Sequence, residues 1–156
     1  MCGICGIINL NKKPVDEAKL HLMMKSMKNR GPDDEGTFVR DYIGFGFVRL
    51  SIIDLSIAGH QPMFSTDNRY VIMLNGEIYN YIELRAELIH KGYLFRSGSD
   101  TEVLLNAYIE WGDQCLDKLN GMFAFVILDT YTNYFFAAAN RLATSSQFIT
   151  LKKAVM

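Results

Sequence analysis

A cysteine stands directly behind the initiator methionine in the opening run MCGICGIINL. Methionine is removed efficiently when the next side chain is small. Cleavage would leave Cys2 as the first residue, carrying a thiol and a free α-amine on one carbon framework. An α-amine titrates at about 7.7–8.0 and so accepts a proton near neutrality. It can therefore serve as general base for its own thiol, with no histidine partner. The plainer reading of Cys2 is a thiol buried by packing. A nucleophile also needs donors for the negative oxygen that forms on attack. In LNGEIYN, the Asn75 amide and the next backbone N–H, that of Gly76, can converge on such an oxygen. Asn-Gly is equally the commonest tight-turn dipeptide. Arg49 interrupts the apolar stretch 45–53, where a guanidinium must find a carboxylate or lie at a rim. Its fork suits bidentate recognition of a carboxylate. Asp100 can accept from an ammonium group or cap a helix locally. Together Arg49 and Asp100 would hold both charges of an α-amino acid.

Other candidate chemistry is weaker. Cys2 and Cys5 have CxxC spacing, but a structural zinc site needs four ligands. Only Cys115 and the scattered His21, His60 and His90 remain to supply them. A redox pair belongs after a strand and opens a helix, whereas Gly3 and Gly6 interrupt a β-prone run here. Asp33-Asp34-Glu35 reads as a solvated or helix-terminal cluster, too short for a calcium loop. There is no GxGxxG and no P-loop. An odd number of cysteines is no disulfide framework and suits a reducing compartment. A net charge of -1 with scattered basic residues argues against nucleic acid as a partner. No apolar run has transmembrane length and no signal peptide is visible, so no membrane is expected and the cytoplasm is the default.

The elements that must position these groups are legible in outline. At 156 residues, with 49% hydrophobic and 21% charged, the chain fits one domain over 1–156 with a sizeable core. Residues 3–10 read as a strand. A helix N-capped by Asp16 follows, with Leu20, Met23, Met24 and Met27 on its apolar face and Gly31-Pro32 ending it. The run 36–54 reads as two strands around a turn near Arg40-Asp41, and 69–76 as a short apolar strand. A helix over 83–91 turns Leu84, Leu88 and Ile89 inward. Ser99 and Glu102 form a capping box opening a third helix, closed by Gly112. The runs 122–129 and 133–139 read as a hairpin about 130–132. This order lacks steady strand–helix alternation, so the fold class is α+β, with antiparallel sheets against which helices pack.

The motifs MCGICGI, NRGPDDEG, VRLSIIDLSIAGHQPM, LNGEIYNY, SGSDTEVLLNAYIEWG and LNGMFAFVILD occur in this order. In this set the chain resembles the glutaminase domain of glutamine-dependent asparagine synthetases, the class II (N-terminal nucleophile) glutamine amidotransferases. The likeness spans about residues 2–138. It implies a four-layer αββα sandwich of two antiparallel sheets flanked by helices. It further implies hydrolysis of L-glutamine by a processed Cys2, with ammonia passed to a synthetase domain that makes asparagine from ATP-activated aspartate. By the same resemblance Arg49 holds the glutamine α-carboxylate, Asn75 and Gly76 form the oxyanion pair, and Glu77 and Asp100 bind the α-amino group. Arg30 in NRGPD belongs to a loop near the site. No cofactor is implied for this domain. ATP and magnesium belong to the synthetase domain, which is absent from this chain, and a homodimer is an admitted assembly.

The chain departs from the family pattern in places. Phe47 stands where many relatives have histidine. After NYFFAAA, relatives continue with arginine-aspartate-arginine, glycine and a proline-containing strand. Here Ala139 and Asn140 replace the first two, Arg141 persists, and the tail over 139–156 is diverged or altered, with QFITL as its candidate strand. Rival readings are therefore a catalytically impaired glutamine-binding or partner-binding domain of the same descent, and a plain dimerising scaffold. The intact set Cys2, Arg49, Asn75, Gly76 and Asp100 argues against the scaffold.

Overall fold

The computed structural model describes residues 2–140 and 148–154, the latter by backbone course alone. Strands β1 (Gly3–Ile8), β2 (Asp34–Arg40) and β3 (Ile43–Arg49) form an antiparallel sheet in the order β1-β3-β2. Strands β4 (Met63–Phe64), β5 (Tyr70–Ile78), β6 (Gly121–Asp129), β7 (Tyr134–Asn140) and β8 (Phe148–Ala154) form a second antiparallel sheet in chain order. Helix α1 (Glu17–Ser26) packs on β1 and β3; α2 (Tyr81–His90) and α3 (Asp100–Trp111) cover the outer face of the second sheet. The result is a four-layer αββα sandwich.

The period-two alternation of strands decides which side chains fill which layer. Ile43, Phe45 and Phe47 meet Val71, Met73 and Leu128 between the sheets. On the far side of the second sheet, Ile72, Leu74, Phe125 and Phe136 meet Leu84, Leu88, Val103 and Leu104 from the helices. Tyr108 of α3 stacks on Phe136 with ring centroids 5.2 Å apart. Strand β3 is buried along its whole length, because α1 covers one face and the second sheet the other. Phe47 is completely buried between the sheets, where an aromatic ring is satisfied by packing alone.

Several expectations shift. β1 ends at Ile8 rather than at residue 10: the Asn9 N–H donates to the Tyr42 carbonyl at 2.9 Å, and Leu10 is exposed. Met23 and Ile89 face solvent, since Leu20–Met24 and Leu84–Leu88 already define the narrow inward stripes of α1 and α2. α2 opens at Tyr81, two residues before the expected start, while its N-cap Asn80 uses its side chain on Lys118 O and Asn120 N instead of the helix. The capping box is half formed. Ser99 Oγ accepts the Glu102 N–H at 3.3 Å, but the Glu102 carboxylate reaches past Ser99 to the N–H groups of Arg96 and Ser97. The candidate tail strand forms as β8 from Phe148 onward. Gln147 and Arg141 lie outside the described residues. No helix among the described residues is long and apolar enough to cross a membrane.

Truncating a fully buried aromatic ring removes its transfer free energy and leaves a cavity. Phe47→Ala should therefore lower unfolding free energy by about 3–5 kcal/mol, whereas Ile89→Ala should stay within about 0.5 kcal/mol of the parent. Urea unfolding curves check both.

Candidate active site

The register Gly3↔Val48 brings the residue before β1 beside the end of β3. Cys2 is half-buried there, and its sulfur is bracketed by one residue's backbone. The Leu50 N–H donates to Sγ at 3.4 Å, and the thiol donates to the Leu50 carbonyl at 3.6 Å. Arg30 Nε donates to the Cys2 carbonyl at 3.1 Å, which fixes the peptide on the C-terminal side of the thiol. Cys2, Ile4 and Ile8 pack on the inter-sheet cluster. The Cys5 sulfur instead lies with Met24 beside Gly46, on the helix side of the sheet. The two thiols therefore point to opposite faces and do not act as a CxxC pair.

Arg49, the last residue of β3, is only 7% exposed. Its guanidinium does not meet a carboxylate fork-to-fork, as the sequence suggested it must if buried. Nη1 donates to the Ser56 carbonyl at 3.0 Å and Nη2 to the Asp54 carbonyl. The loop after β3 thus curls back so that backbone oxygens hold the cation. Gly59 closes that curl, and a Cβ there would overlap Arg49 Nη2. The Asp54 carboxyl is held below its ordinary range by donors from the Ser56 side chain and backbone, opposed by burial and helped by Gly98 N–H and Arg49.

Asn75-Gly76 is not a turn. Both residues lie inside β5, paired with Ala124 and Phe123 of β6. Gly76 has φ +144°, and a Cβ on it would overlap the Met122 carbonyl oxygen, so only glycine fits this close approach. Asn75 shares the β5 face of Val71 and Met73, which pack into the seam where Cys2 also packs. Its Oδ1 is the one buried side-chain oxygen without a hydrogen-bond partner among the described residues. An unpartnered buried amide atom is uncommon; this one is an acceptor, whereas a negative oxygen needs the donors of the amide NH₂. Asn140 ties down the facing strand: Oδ1 accepts the Phe123 N–H at 2.9 Å and Nδ2 donates to Gly121 O at 2.6 Å. Asn140 thus forms a neutral clamp on β6.

Asp100 opens α3 behind the cap Ser99 and is 6% exposed. Its Oδ2 accepts the Ile78 N–H at 3.0 Å, joining the end of β5 to the helix. Burial pushes its carboxyl above the ordinary value, against the pull of backbone donors from Ile78, Thr101 and its own N–H, with Glu77 adding a smaller push. Glu77 is exposed at the rim. Cys2, Arg49, Gly76, Glu77 and Asp100 line one cavity of about 280 Å³, joined by Asp54. Such a space, with one buried cation, acidic groups and a thiol, suits a small zwitterion.

Sequence reasoning missed several supports. Asp33 accepts the Ser51 N–H at 2.8 Å, Asp34 meets His60 Nδ1 at 2.7 Å and Glu35 meets Lys28 Nζ at 3.0 Å, so the acidic cluster divides among three partners. Buried Gln61 accepts the Leu74 N–H at 2.7 Å and donates to Thr101 Oγ1 at 3.0 Å, bonding β5 to α3. Only a polar residue beside an apolar run signals these positions, and their partners lie far along the chain.

A family model described as "Glutamine amidotransferase domain" matches residues 1–154. The chain is 42% identical to the glutamine-hydrolyzing asparagine synthetase 3 of Bacillus subtilis over 153 residues, covering 96% of this chain and 25% of that protein. It is 49% identical to the corresponding synthetase 1 of the same organism over 130 residues, 81% of this chain and 20% of that protein. With the asparagine synthetase 1 of Arabidopsis thaliana it shares 36% over 150 residues, 96% of this chain and 25% of that protein. The chain thus spans a fifth to a quarter of the length of these relatives. Among solved structures, the glutamine phosphoribosylpyrophosphate amidotransferase of B. subtilis superposes with a TM-score of 0.73 at 20% identity, over 90% of this chain and 37% of that one; this is a likeness of fold.

The raised Asp100 carboxyl has a stability consequence. The folded state holds this proton more tightly than the unfolded chain, whose ordinary value is 3.8. The group's contribution to stability therefore falls as pH rises from that value through the folded one, then levels off. Asp100→Asn keeps an acceptor for Ile78 and cannot ionise, so its stability relative to the parent should rise across that window. Urea midpoints of both proteins through the acidic range to neutrality measure this; a flat difference would show that Asp100 is not desolvated.

Proposed function

Because the chain belongs to the glutamine amidotransferase domain family, we propose that it hydrolyses the side-chain amide of L-glutamine through a Cys2 thioester. The ammonia would feed asparagine synthesis on a synthetase domain or subunit, where ATP and magnesium act. The observation that carries the reading is the meeting of a thiol, a buried guanidinium and three carboxylates at one small cavity.

The chemistry runs through the chain's own groups. Arg49 takes the α-carboxylate, while Asp100 and Glu77 take the α-ammonium. Fixing both ends makes the position of the side-chain amide carbon reproducible. With Met1 removed, the Cys2 α-amine accepts the thiol proton and the sulfur attacks that carbon. The Asn75 amide and the Gly76 N–H receive the negative oxygen. The protonated α-amine then gives its proton to the departing ammonia, and water attacks the thioester to release glutamate. Arg30 steadies the Cys2 peptide through this sequence, and the Leu50 N–H steadies the sulfur. Three free cysteines suit a reducing compartment, so action in the cytoplasm belongs to the same proposal, as does assembly as a homodimer.

Intact mass and ammonia release are measured on one sample. Loss of one methionine with glutamine turnover supports the reading; a processed Cys2 without turnover sinks it. Cys2→Ala should abolish ammonia release. Arg49→Ala should raise KM for glutamine about a hundredfold, on the order of 3 kcal/mol. Asn75→Ala should lower kcat by about 10²–10³.

A further inference from the structure

Asp54 lines the cavity, yet both its carboxylate oxygens are engaged by the protein. Oδ1 accepts the Ser56 N–H at 2.8 Å and the Ser56 hydroxyl at 2.6 Å. This local turn aims the carbonyl oxygens of residues 54 and 56 at the Arg49 guanidinium. Oδ2 accepts the Gly98 N–H at 2.8 Å, from a loop 44 residues away in sequence. That second loop is itself tied to the start of α3. Ser97 Oγ donates to Glu102 Oε2 at 2.7 Å, Ser97 and Ser99 hydroxyls lie 3.0 Å apart, and Ser99 caps the helix that Asp100 opens. Hydrogen bonds, joined by the covalent links within Asp54 and along residues 97–99, thus connect Arg49 through Asp54 to the residue before Asp100.

We propose that Asp54 is a positioning residue that sets the span between Arg49 and Asp100, and so tunes the cavity to the separation of the two charges on an α-amino acid. This rests on the proposed roles of Arg49 and Asp100. Because Asp54 has donors on both oxygens, it acts through those residues and is not itself a ligand. Asparagine at this position keeps one acceptor but turns an NH₂ toward an N–H or O–H donor, so one of the two ties is lost.

Steady-state kinetics on glutamine test the proposal. Asp54→Asn should raise KM about tenfold with kcat within about threefold. In an Arg49→Ala background the same change should add less than about twofold, because both act on one clamp. An unchanged KM, a fall confined to kcat, or independent multiplication of the two effects would overturn it. Where Asp54→Asn fails to fold, Ser56→Ala removes one donor, keeps the Gly98 tie and should raise KM by about two- to fivefold; no change overturns the proposal. Calorimetric titration of L-glutamine and L-glutamate onto Cys2→Ala separates this idea from the turnover reading. Binding weakened about tenfold by Asp54→Asn supports the clasp even if the parent releases no ammonia. Absence of binding of either amino acid overturns the clasp.

Discussion

A guanidinium buried at the end of β3 obliges its surroundings to fold around it. Arg49 is nearly enclosed, and a cation withdrawn from water is tolerable only when oxygens surround it. The chain meets that demand by curling the loop after β3 so that the carbonyls of residues 54 and 56 face inward. The curl needs an ordered turn at Asp54, a residue without a side chain at Gly59, and an anchor on the loop before α3. One side of the cavity is therefore shaped by electrostatic necessity rather than by apolar packing. The same loop passes Leu50 alongside Cys2, so the cation and the thiol are placed by one piece of backbone.

Two of the three carboxylates on this cavity have opposite environments. Asp54 sits among donors that favour its charge, while Asp100 is desolvated enough that burial outweighs its donors. Environments that push like groups apart are a common way to assign them different duties. Here the first stabilises a loop. The second is a buried acid at a helix N-terminus, where the helix field favours negative charge and an incoming cation would relieve its isolation.

The architecture was largely legible because periodicity and punctuation are local. Asp16 and Ser99 cap their helices, Gly92 and Gly112 follow α2 and α3, and the hairpin of β6 and β7 lies where two apolar runs about a turn at 130–132 put it. The misses share one cause. Met23 and Ile89 are apolar but lie just outside stripes whose width only packing sets, and Leu10 is apolar but lies beyond a strand end that only pairing sets. The Asn75-Gly76 pair looks like a turn because its dihedral freedom is what local sequence reports; that the glycine serves close contact with β6 is visible only once the strands pair. Of the candidate site, the thiol, the guanidinium and Asp100 could be named from their types, Glu77 only through the family resemblance, and Asp54 by neither route. The ties that hold them, Asp33 to Ser51, Gln61 to Leu74 and Asp54 to Gly98, join distant segments through backbone atoms and leave no spacing to read.

The bracketing of the Cys2 sulfur by Leu50 has a consequence for how this site yields to dissection. Both partners of the thiol are main-chain atoms of a single residue. Replacing the Leu50 side chain leaves them in place, so a survey of the surface by side-chain truncation would pass over the nucleophile's immediate contacts without a signal. Only chemistry that edits the backbone, such as an ester in place of the amide at residue 50, reaches them. The immediate setting of the thiol is written in the path of the chain rather than in its alphabet.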